Sequence, residues 1–327
     1  MKTFLKLIRI TNLIIIACTM YAIRFCFFTI GGKIYVNVFI EELFFALLVL
    51  STLLIAAGGN IINDYFDIKS DKINKPDNWI IGNIIPKRKA ILYHWTLNGI
   101  AFFIAIVLSI YYNTFWYVFI HLFSINILWL YSAYFKRTAL LGNFMVAILT
   151  SLVVILTGIH FKITGSFTSN IPDGILELST NTTSSIYEWK KIFLENGKFI
   201  WIFAFFSFVL NFGREIIKDI EDIEGDKLLS AHTLPLKYGV KKAKITSIII
   251  LSIIPIAYFT LVAYFKKEFN LIEIYSTLPV AISVLTTCIA LVLLIKSHLN
   301  TEFKFVDRML KIAMISGILT PFYWWWF

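Results

Sequence analysis

An all-α, polytopic membrane protein of nine transmembrane helices is the architecture this 327-residue sequence predicts, on three observations. Hydrophobic residues make up 58% of the chain and the mean hydropathy is +0.78, beyond the roughly half-apolar composition of soluble domains. Apolar runs of the about 20 residues that span a bilayer recur near 10–30, 39–62, 90–112, 114–133, 139–162, 197–217, 243–265, 274–297 and 306–326. Aromatic residues are abundant, with 31 Phe, 15 Tyr and 9 Trp, as lipid-facing and interfacial positions favour.

Charge gives these runs a direction. The N-terminus and the segments after runs two, four, six and eight hold 22 of the 30 Lys and Arg, and the opposite side holds 8. Basic residues accumulate inside, so the N-terminus is expected in the cytoplasm and the C-terminus outside, in an integral multi-pass protein of the cell (cytoplasmic) membrane. Topology then accounts for the net charge of +10. There is no contiguous basic domain, so no nucleic acid is expected as a partner, and no obligate protein partner is evident. Cys18, Cys26 and Cys288 lie in apolar runs without metal-ligand or disulfide spacing and read as packing residues. The first run is long and lacks a small-residue cleavage site, so no cleavable signal peptide is expected.

Run one opens with Arg9, Ile10, Thr11 and Asn12, where Asn12 is either interfacial or part of a site. Arg24, deeper in that run, is expected to snorkel to the outer interface. Run two ends in Ala56-Ala57-Gly58-Gly59-Asn60, small residues that either let helices approach closely or leave room for a ligand. The stretch Asn63–Asp77, NDYFDIKSDKINKPD, follows. Its Asp64, Asp67 and Asp71 stand at i, i+3 and i+7, within about 60° of one another on a helix. Three carboxylates in a row repel unless a cation sits among them. Hard oxygen ligands with no His or Cys nearby point to Mg²⁺ or Ca²⁺ rather than zinc, and the missing D-x-D-x-D-G core of an EF-hand favours Mg²⁺. Phosphate is its natural co-ligand.

Beyond Pro76, the segment through Lys87, Arg88 and Lys89 is either a solvated loop or a phosphate-facing cap. The link between runs four and five brings Lys136 and Arg137, with Tyr131 one turn earlier, to the aspartate side, as topology signals or as phosphate ligands. The stretch 163–197 is rich in Ser, Thr and Asn and reads as an external loop; its Asn181-Thr182-Thr183 sequon matters only in a glycosylating host. Run six carries Asn211, Arg214, Glu215 and Lys218 into KDIEDIEGD, where Asp219, Asp222 and Asp226 repeat the i, i+3, i+7 spacing. A lysine follows the third aspartate in both copies, Lys72 and Lys227, and the two stretches together with Glu215 hold ten of the twenty acidic residues. Both follow even-numbered runs, so both face the cytoplasm and suggest one site. Its mixture of cations and carboxylates suits a metal–diphosphate complex, the alternative being salt bridging along a helix end. The histidines His94, His121, His160, His232 and His298 are scattered without ligand spacing and read as structural or interfacial.

Asn63 to Asp71 resembles the N-D-x-x-D-x-x-x-D signature of the UbiA superfamily of membrane prenyltransferases, and Asp222 to Asp226 resembles its second, D-x-x-x-D, signature. The likeness extends to the R-x-x-N start at Arg9 and Asn12 and to the D-K-I-N-K-P continuation from Asp71 to Pro76. It covers nearly the whole chain, and implies one domain over 1–327 with nine helices around a central cavity and a cytoplasmic-side cap. The runs Arg214–Lys227 and Tyr131–Asn143 look most like digeranylgeranylglyceryl phosphate synthases. These are enzymes that move a geranylgeranyl group from its diphosphate to the free glycerol hydroxyl of geranylgeranylglyceryl phosphate. Two departures stand out. The family's Y-x-x-x-K element is one residue longer here, Tyr131 to Lys136, and its R-P-L-x-S-G element is replaced by Asn78-Trp79-Ile80-Ile81-Gly82-Asn83.

Residues and resemblance together give an expected site. Asp64, Asp67, Asp71, Asp219, Asp222 and Asp226 are its catalytic carboxylates, with Asn63, Asp64, Asp67, Asp71, Asp222 and Asp226 as ligands of Mg²⁺. Asn12, Asn63, Lys72, Tyr131, Lys136, Arg137, Arg214 and Lys218 are its substrate-binding residues. The partners are an isoprenoid diphosphate donor, a lipophilic prenyl acceptor and the lipid bilayer. Ionising an allylic diphosphate requires neutralising the leaving group without quenching the allylic cation, which metal-held carboxylates, Lys and Arg can do in a site shielded from water; Phe and Tyr faces can stabilise the cation. No residue stands out as general base. The rival readings are an aromatic-acceptor prenyltransferase and a cation or phosphate transporter; both acid clusters at one membrane face argue against transport.

Overall fold

The structure, a computed structural model, describes residues 2–30, 38–74, 79–164, 198–228, 230–265, 278–297 and 300–326. Nearly all of the stretch 163–197 with its Asn181 sequon, together with Pro76, Asp77, Asn78 and His298, lies outside the described residues.

Each of the nine apolar runs is a long helix: α1 (Ile10–Ile30), α2 (Val38–Phe66), α3 (Lys87–Tyr111), α4 (Trp116–Ala133), α5 (Leu141–Ile163), α6 (Lys198–Glu221), α7 (Val240–Phe265), α8 (Leu278–Lys296) and α9 (Asn300–Trp326). Short helices Lys2–Leu7, Ile68–Asn74, Ile223–Leu228 and Leu234–Tyr238, and a 3₁₀ turn Phe135–Arg137, lie between them. Among the described residues seven helices, α2 to α8, are long and apolar enough to cross a membrane. The apolar stretch of α1 among the described residues is shorter, Ile10–Phe25, and the first half of α9 carries Glu302, Lys304, Asp307, Arg308 and Lys311, which lower its hydropathy. Among the described residues, length and composition therefore license seven of the nine expected crossings.

Two compact units divide the chain, one of Met1–Ala17, Asn37–Leu149 and Glu215–Thr246, the other of Cys18–Val36, Thr150–Arg214 and Ser247–Phe327. In the first, α2 packs on α3 and α4, and those two pack on each other. The glycines that end run two serve close approach: a Cβ on Gly58 would lie 3.0 Å from the Asn98 amide, and one on Gly59 2.8 Å from Leu128. Buried histidines tie the same helices together. Nδ1 of His94 meets the Gly58 carbonyl at 2.9 Å. Ser51 gives its proton to the Leu48 carbonyl, so Nε2 of His121, 2.8 Å from that hydroxyl, is the donor there. Both act structurally.

Below the aspartates of α2, Leu7, Ile8, Leu13, Ala57, Ile61, Ile80, Ile81 and Ala90 form a buried apolar cluster. Ile80 and Ile81 belong to the stretch that replaces the family's R-P-L-x-S-G element. They are turned inward by Gly82, at φ 89°, whose N–H donates to the Ile85 carbonyl at 2.8 Å; only glycine takes that conformation freely. From Trp79 to Asn83 the departure is thus a compact turn packed by Ile80 and Ile81.

In the second unit α8 packs on α9, fastened by hydroxyls that donate to backbone carbonyls, Ser283 to Ala313 at 2.8 Å and Ser316 to Pro279 at 2.7 Å. Arg24 does not snorkel. It is buried, 4% exposed, with its guanidinium carbon 5.5 Å from the centre of the Phe161 ring. Position in the sequence gives depth along the helix but not what faces the side chain, and here an aromatic face takes the charge that lipid would not.

Candidate active site

Both aspartate motifs sit where a long helix gives way to a short one. α2 stops at Phe66 and the chain restarts as Ile68–Asn74, yet the helical ladder crosses the break, Asp67 N–H to Asn63 carbonyl at 3.0 Å and Asp71 N–H to Asp67 carbonyl at 2.8 Å. The second motif does the same across Asp222, with Asp222 N–H on Lys218 and Asp226 N–H on Asp222, each at 3.0 Å. Continuous i→i−4 bonds keep each set of acids on one face despite the change of helix. The short helices Ile68–Asn74 and Ile223–Leu228 pack against each other, all within the first unit. Two motifs 155 residues apart in sequence are therefore neighbours in space.

Cations stand among them. Arg9 is held at φ 53°, a conformation disfavoured for a side-chain-bearing residue, and from it Nη2 reaches Asp64 at 2.7 Å. The turn is pinned by Asn60, whose Nδ2 donates to the Ile8 carbonyl at 2.9 Å. Burial alone would lower the Arg9 guanidinium, but Asp64, with Asp67 and Tyr131 adding to it, holds it above its ordinary value.

Lys136 pairs directly with Asp67, which also accepts a hydrogen bond from Asn63 at 3.0 Å. Against a burial penalty, the carboxylates of Asp67 and Asp222, with Tyr131, raise the Lys136 ammonium and keep it charged. The extra residue between Tyr131 and Lys136 is absorbed where α4 ends at Ala133 and tightens into the 3₁₀ turn, with Arg137 N–H on Tyr134 and Thr138 N–H on Phe135. Tyr131 still lies among Lys136, Glu215, Asp219 and Asp67.

The second row is compensated differently. Asp219 accepts from Nδ2 of the buried Asn143 at 2.8 Å. Among the described residues the Asp222 carboxylate has no hydrogen-bond or ion-pair partner. Asp226 is buried, and burial together with Asp222 and Asp67 outweighs Lys136 and pushes it up to about 6. Like charges crowded together in this way favour the protonated form unless a cation sits among them.

The remaining expected residues fall in three places. Lys218 is 3.3 Å from Glu215 on its own helix. Arg137 lies in the turn, where its carbonyl accepts the His232 N–H at 2.7 Å. Lys72 is exposed and its ammonium sits 4.7 Å from the centre of the Trp79 ring. Asn12 is exposed at the start of α1. Arg214 belongs to the other unit, where its Nε lies 2.7 Å from Asp307, a carboxylate shared with Lys311 at 2.6 Å.

Three residues outside the expected set stand beside the acid rows: Arg9 on Asp64, Asn143 on Asp219, and Glu215 near Lys218. Each lies inside a stretch that the sequence singles out, but their partners become visible only once the chain is folded.

The donor set fits a hard divalent cation. It is all oxygen, and Oδ1 of Asn63 is buried beside Asp67 with no hydrogen-bond partner, a lone pair for which a metal is a natural use. Among the described residues no three acidic, His or Cys side chains converge into a preformed cage. A cation held here would take the rest of its coordination shell from substrate or water.

Comparison with known proteins agrees with this geometry. Over 264 residues, 80% of each chain, the sequence is 33% identical to the digeranylgeranylglyceryl phosphate synthase of Methanobrevibacter smithii. It is 29% identical to that of Methanocaldococcus jannaschii over 96% of this chain and 93% of the other. A solved structure concerned with digeranylgeranylglyceryl phosphate synthase in membranes superposes with a TM-score of 0.60 at 25% identity, covering 98% and 96% of the two chains. A UbiA homolog from Archaeoglobus fulgidus bound to DMAPP and Mg²⁺ shares the fold, with a TM-score of 0.54 at 18% identity over 97% and 99%. The UbiA prenyltransferase family itself matches residues 18–315, nearly the entire chain, and with two acid rows and their cations gathered in one unit this protein belongs to that family of membrane prenyltransferases.

Proposed function

We propose that the protein transfers a geranylgeranyl group from its diphosphate to the glycerol hydroxyl of geranylgeranylglyceryl phosphate, with Mg²⁺. The observation that carries this reading is the pairing of two acid rows with Lys136 between them, seen together with the synthase names of relatives at 33% and 30% identity over 80% and 81% of the chain. Asn63, Asp64, Asp67, Asp71, Asp222 and Asp226 hold the metal in this account, which when bound supplies Lewis acidity to the departing diphosphate. Lys136 and Arg9 release Asp67 and Asp64 to it and turn their charge to the diphosphate; Arg137 and Lys218 add to that field, and Lys72 closes over it from Trp79. Preorganised charge of this kind stabilises a leaving group without water's reorganisation. Tyr131 lines the path of the allylic cation. The two acid rows lie on the cytoplasmic side, with the N-terminus inside and the C-terminus outside.

The test is purified protein with labelled geranylgeranyl diphosphate, Mg²⁺ and a panel of glycerophosphate-ether and aromatic acceptors. Transfer to the glyceryl phosphate, lost in EDTA and restored by Mg²⁺ or Mn²⁺, is the expected result. Transfer to aromatic acceptors alone would overturn the acceptor, and full activity in excess chelator would overturn the metal.

A further inference from the structure

Attack by an alcohol on an allylic carbon releases a proton, and the residues that handle the diphosphate are poor receivers of it. Asp64 is paired with Arg9 and Asp67 with Lys136, and a carboxylate neutralised by a cation or metal has little basicity left. Asp219 is held differently, since its partner is an uncharged amide, Nδ2 of Asn143, at 2.8 Å. Resting on the alcohol-acceptor reading above, we propose that Asp219 takes the proton of the acceptor hydroxyl and that Asn143 is the positioning residue that aims it.

The surroundings are built for this. Asn143 lies in the first turn of α5, and the entry to that helix is tightly specified. Leu140 is held at φ 70°, and a Cβ on Gly142 would lie 2.6 Å from the Phe135 carbonyl oxygen. The close approach at Gly142 docks the 3₁₀ turn that carries Lys136 against the helix start that carries Asn143. Both motif rows thus receive their partner from one short stretch, a cation for Asp67 and an amide for Asp219. The amide fixes Oδ2 of Asp219 and leaves Oδ1 to accept a proton. Facing it are Glu215 and Lys218 of its own helix, Asp226 of the following short helix, and Tyr131 of α4. As the acceptor oxygen bonds to C1 of the prenyl group, the bond from C1 to the diphosphate oxygen breaks and its electron pair leaves on the diphosphate. The hydroxyl proton passes to Oδ1 of Asp219, which later returns it to water.

The experiment compares wild type, Asp219→Asn, Asp222→Asn, Asn143→Ala and Asn143→Ser as full-length protein in detergent. It measures transfer to geranylgeranylglyceryl phosphate across pH, and equilibrium binding of a non-ionising thiodiphosphate analogue of the donor with Mg²⁺. Asp219→Asn is expected to lower kcat by roughly 10²–10⁴-fold, the usual worth of a general base, while analogue affinity changes less than about threefold. Asp222→Asn should lose both. Asn143→Ala removes a hydrogen bond that favours the charged carboxylate, so the acid limb of its kcat profile should move to higher pH, by about one unit, and Asn143→Ser should return part of that shift. Should Asp219→Asn fail to fold, the displaced limb in the two Asn143 variants decides the matter. Near-normal transfer by Asp219→Asn, parallel loss of analogue binding, or an unmoved acid limb in Asn143→Ala would overturn the assignment alone. Wild-type protein that prenylates no alcohol acceptor would overturn the functional reading and the assignment with it.

Discussion

The two aspartate rows are built alike and neutralised unlike. Each has acids at i, i+3 and i+7, crosses a helix break on continuing i→i−4 bonds and ends on a short helix. The first row meets guanidinium and ammonium, Arg9 on Asp64 and Lys136 on Asp67. The second meets an amide on Asp219 and leaves Asp222 and Asp226 crowding each other, with Asp226 raised to about 6. Equal spacing fixes which side chains share a face, but it is the neighbouring element that decides what each carboxylate can do. The first row carries its own counter-charges, which in the proposed reading are exchanged for a metal and its phosphates, whereas the second meets no cation as closely.

Removing the cation between the rows should break the comparison most severely. Lys136→Met leaves Asp67 without its counter-charge and deprives the diphosphate of a preorganised partner, so the rate of transfer is expected to fall by about 10²–10³. Lys218→Met, whose ammonium pairs with Glu215 on its own helix, should cost less than tenfold. Equal losses in the two variants, measured as kcat/KM for the donor, would show that position between the rows has no special weight.

A smaller effect is expected at the first row's other cation. Arg9 and Asp64 are both partly exposed, where solvent screens an ion pair and holds its worth to about 1 kcal/mol or less. Arg9→Ala should therefore slow transfer by no more than about tenfold. A loss as deep as that of Lys136→Met would promote Arg9 to an equal partner.

The last variant sharpens the comparison through packing alone. A methyl at Gly142 meets a backbone carbonyl at 2.6 Å, whereas one at Gly59 meets the movable end of Leu128 at 2.8 Å. Overpacking costs about 1–3 kcal/mol where the neighbour cannot move. Gly142→Ala should thus lower both the melting temperature and the transfer rate, since it displaces Lys136 and Asn143 together, while Gly59→Ala should lower the melting temperature slightly and leave the rate intact.

Much of this was legible in the sequence, and the reasons are specific. The acid rows could be read because helical periodicity survives the breaks at Asp67 and Asp222. Lys136 could be found because it lies close in sequence to Tyr131, and the structure keeps them together in spite of the extra residue. His94 and His121 read as structural and are so. What periodicity does not carry is the identity of a partner across the fold. Asn143 meets Asp219 over 76 residues and Arg9 meets Asp64 over 55, and neither pairing leaves a local signal. The glycines at 58 and 59 were ambiguous for the same reason, since only Asn98 and Leu128, placed against them, make them sites of close approach. Arg24 misled because depth along α1 was visible in the sequence and Phe161 was not.

The central claim is that the two rows serve one metal–diphosphate site. A cycle of Asp67→Asn, Asp222→Asn and the double variant, with transfer measured at saturating Mg²⁺ and solubilised yield as the folding control, tests it most directly. Each single variant is expected to lose about 10²–10³ in rate, and the double variant should be little worse than either, because groups that act as one unit are not additive. Losses that multiply in the double variant would contradict the claim and assign the rows to two independent sites.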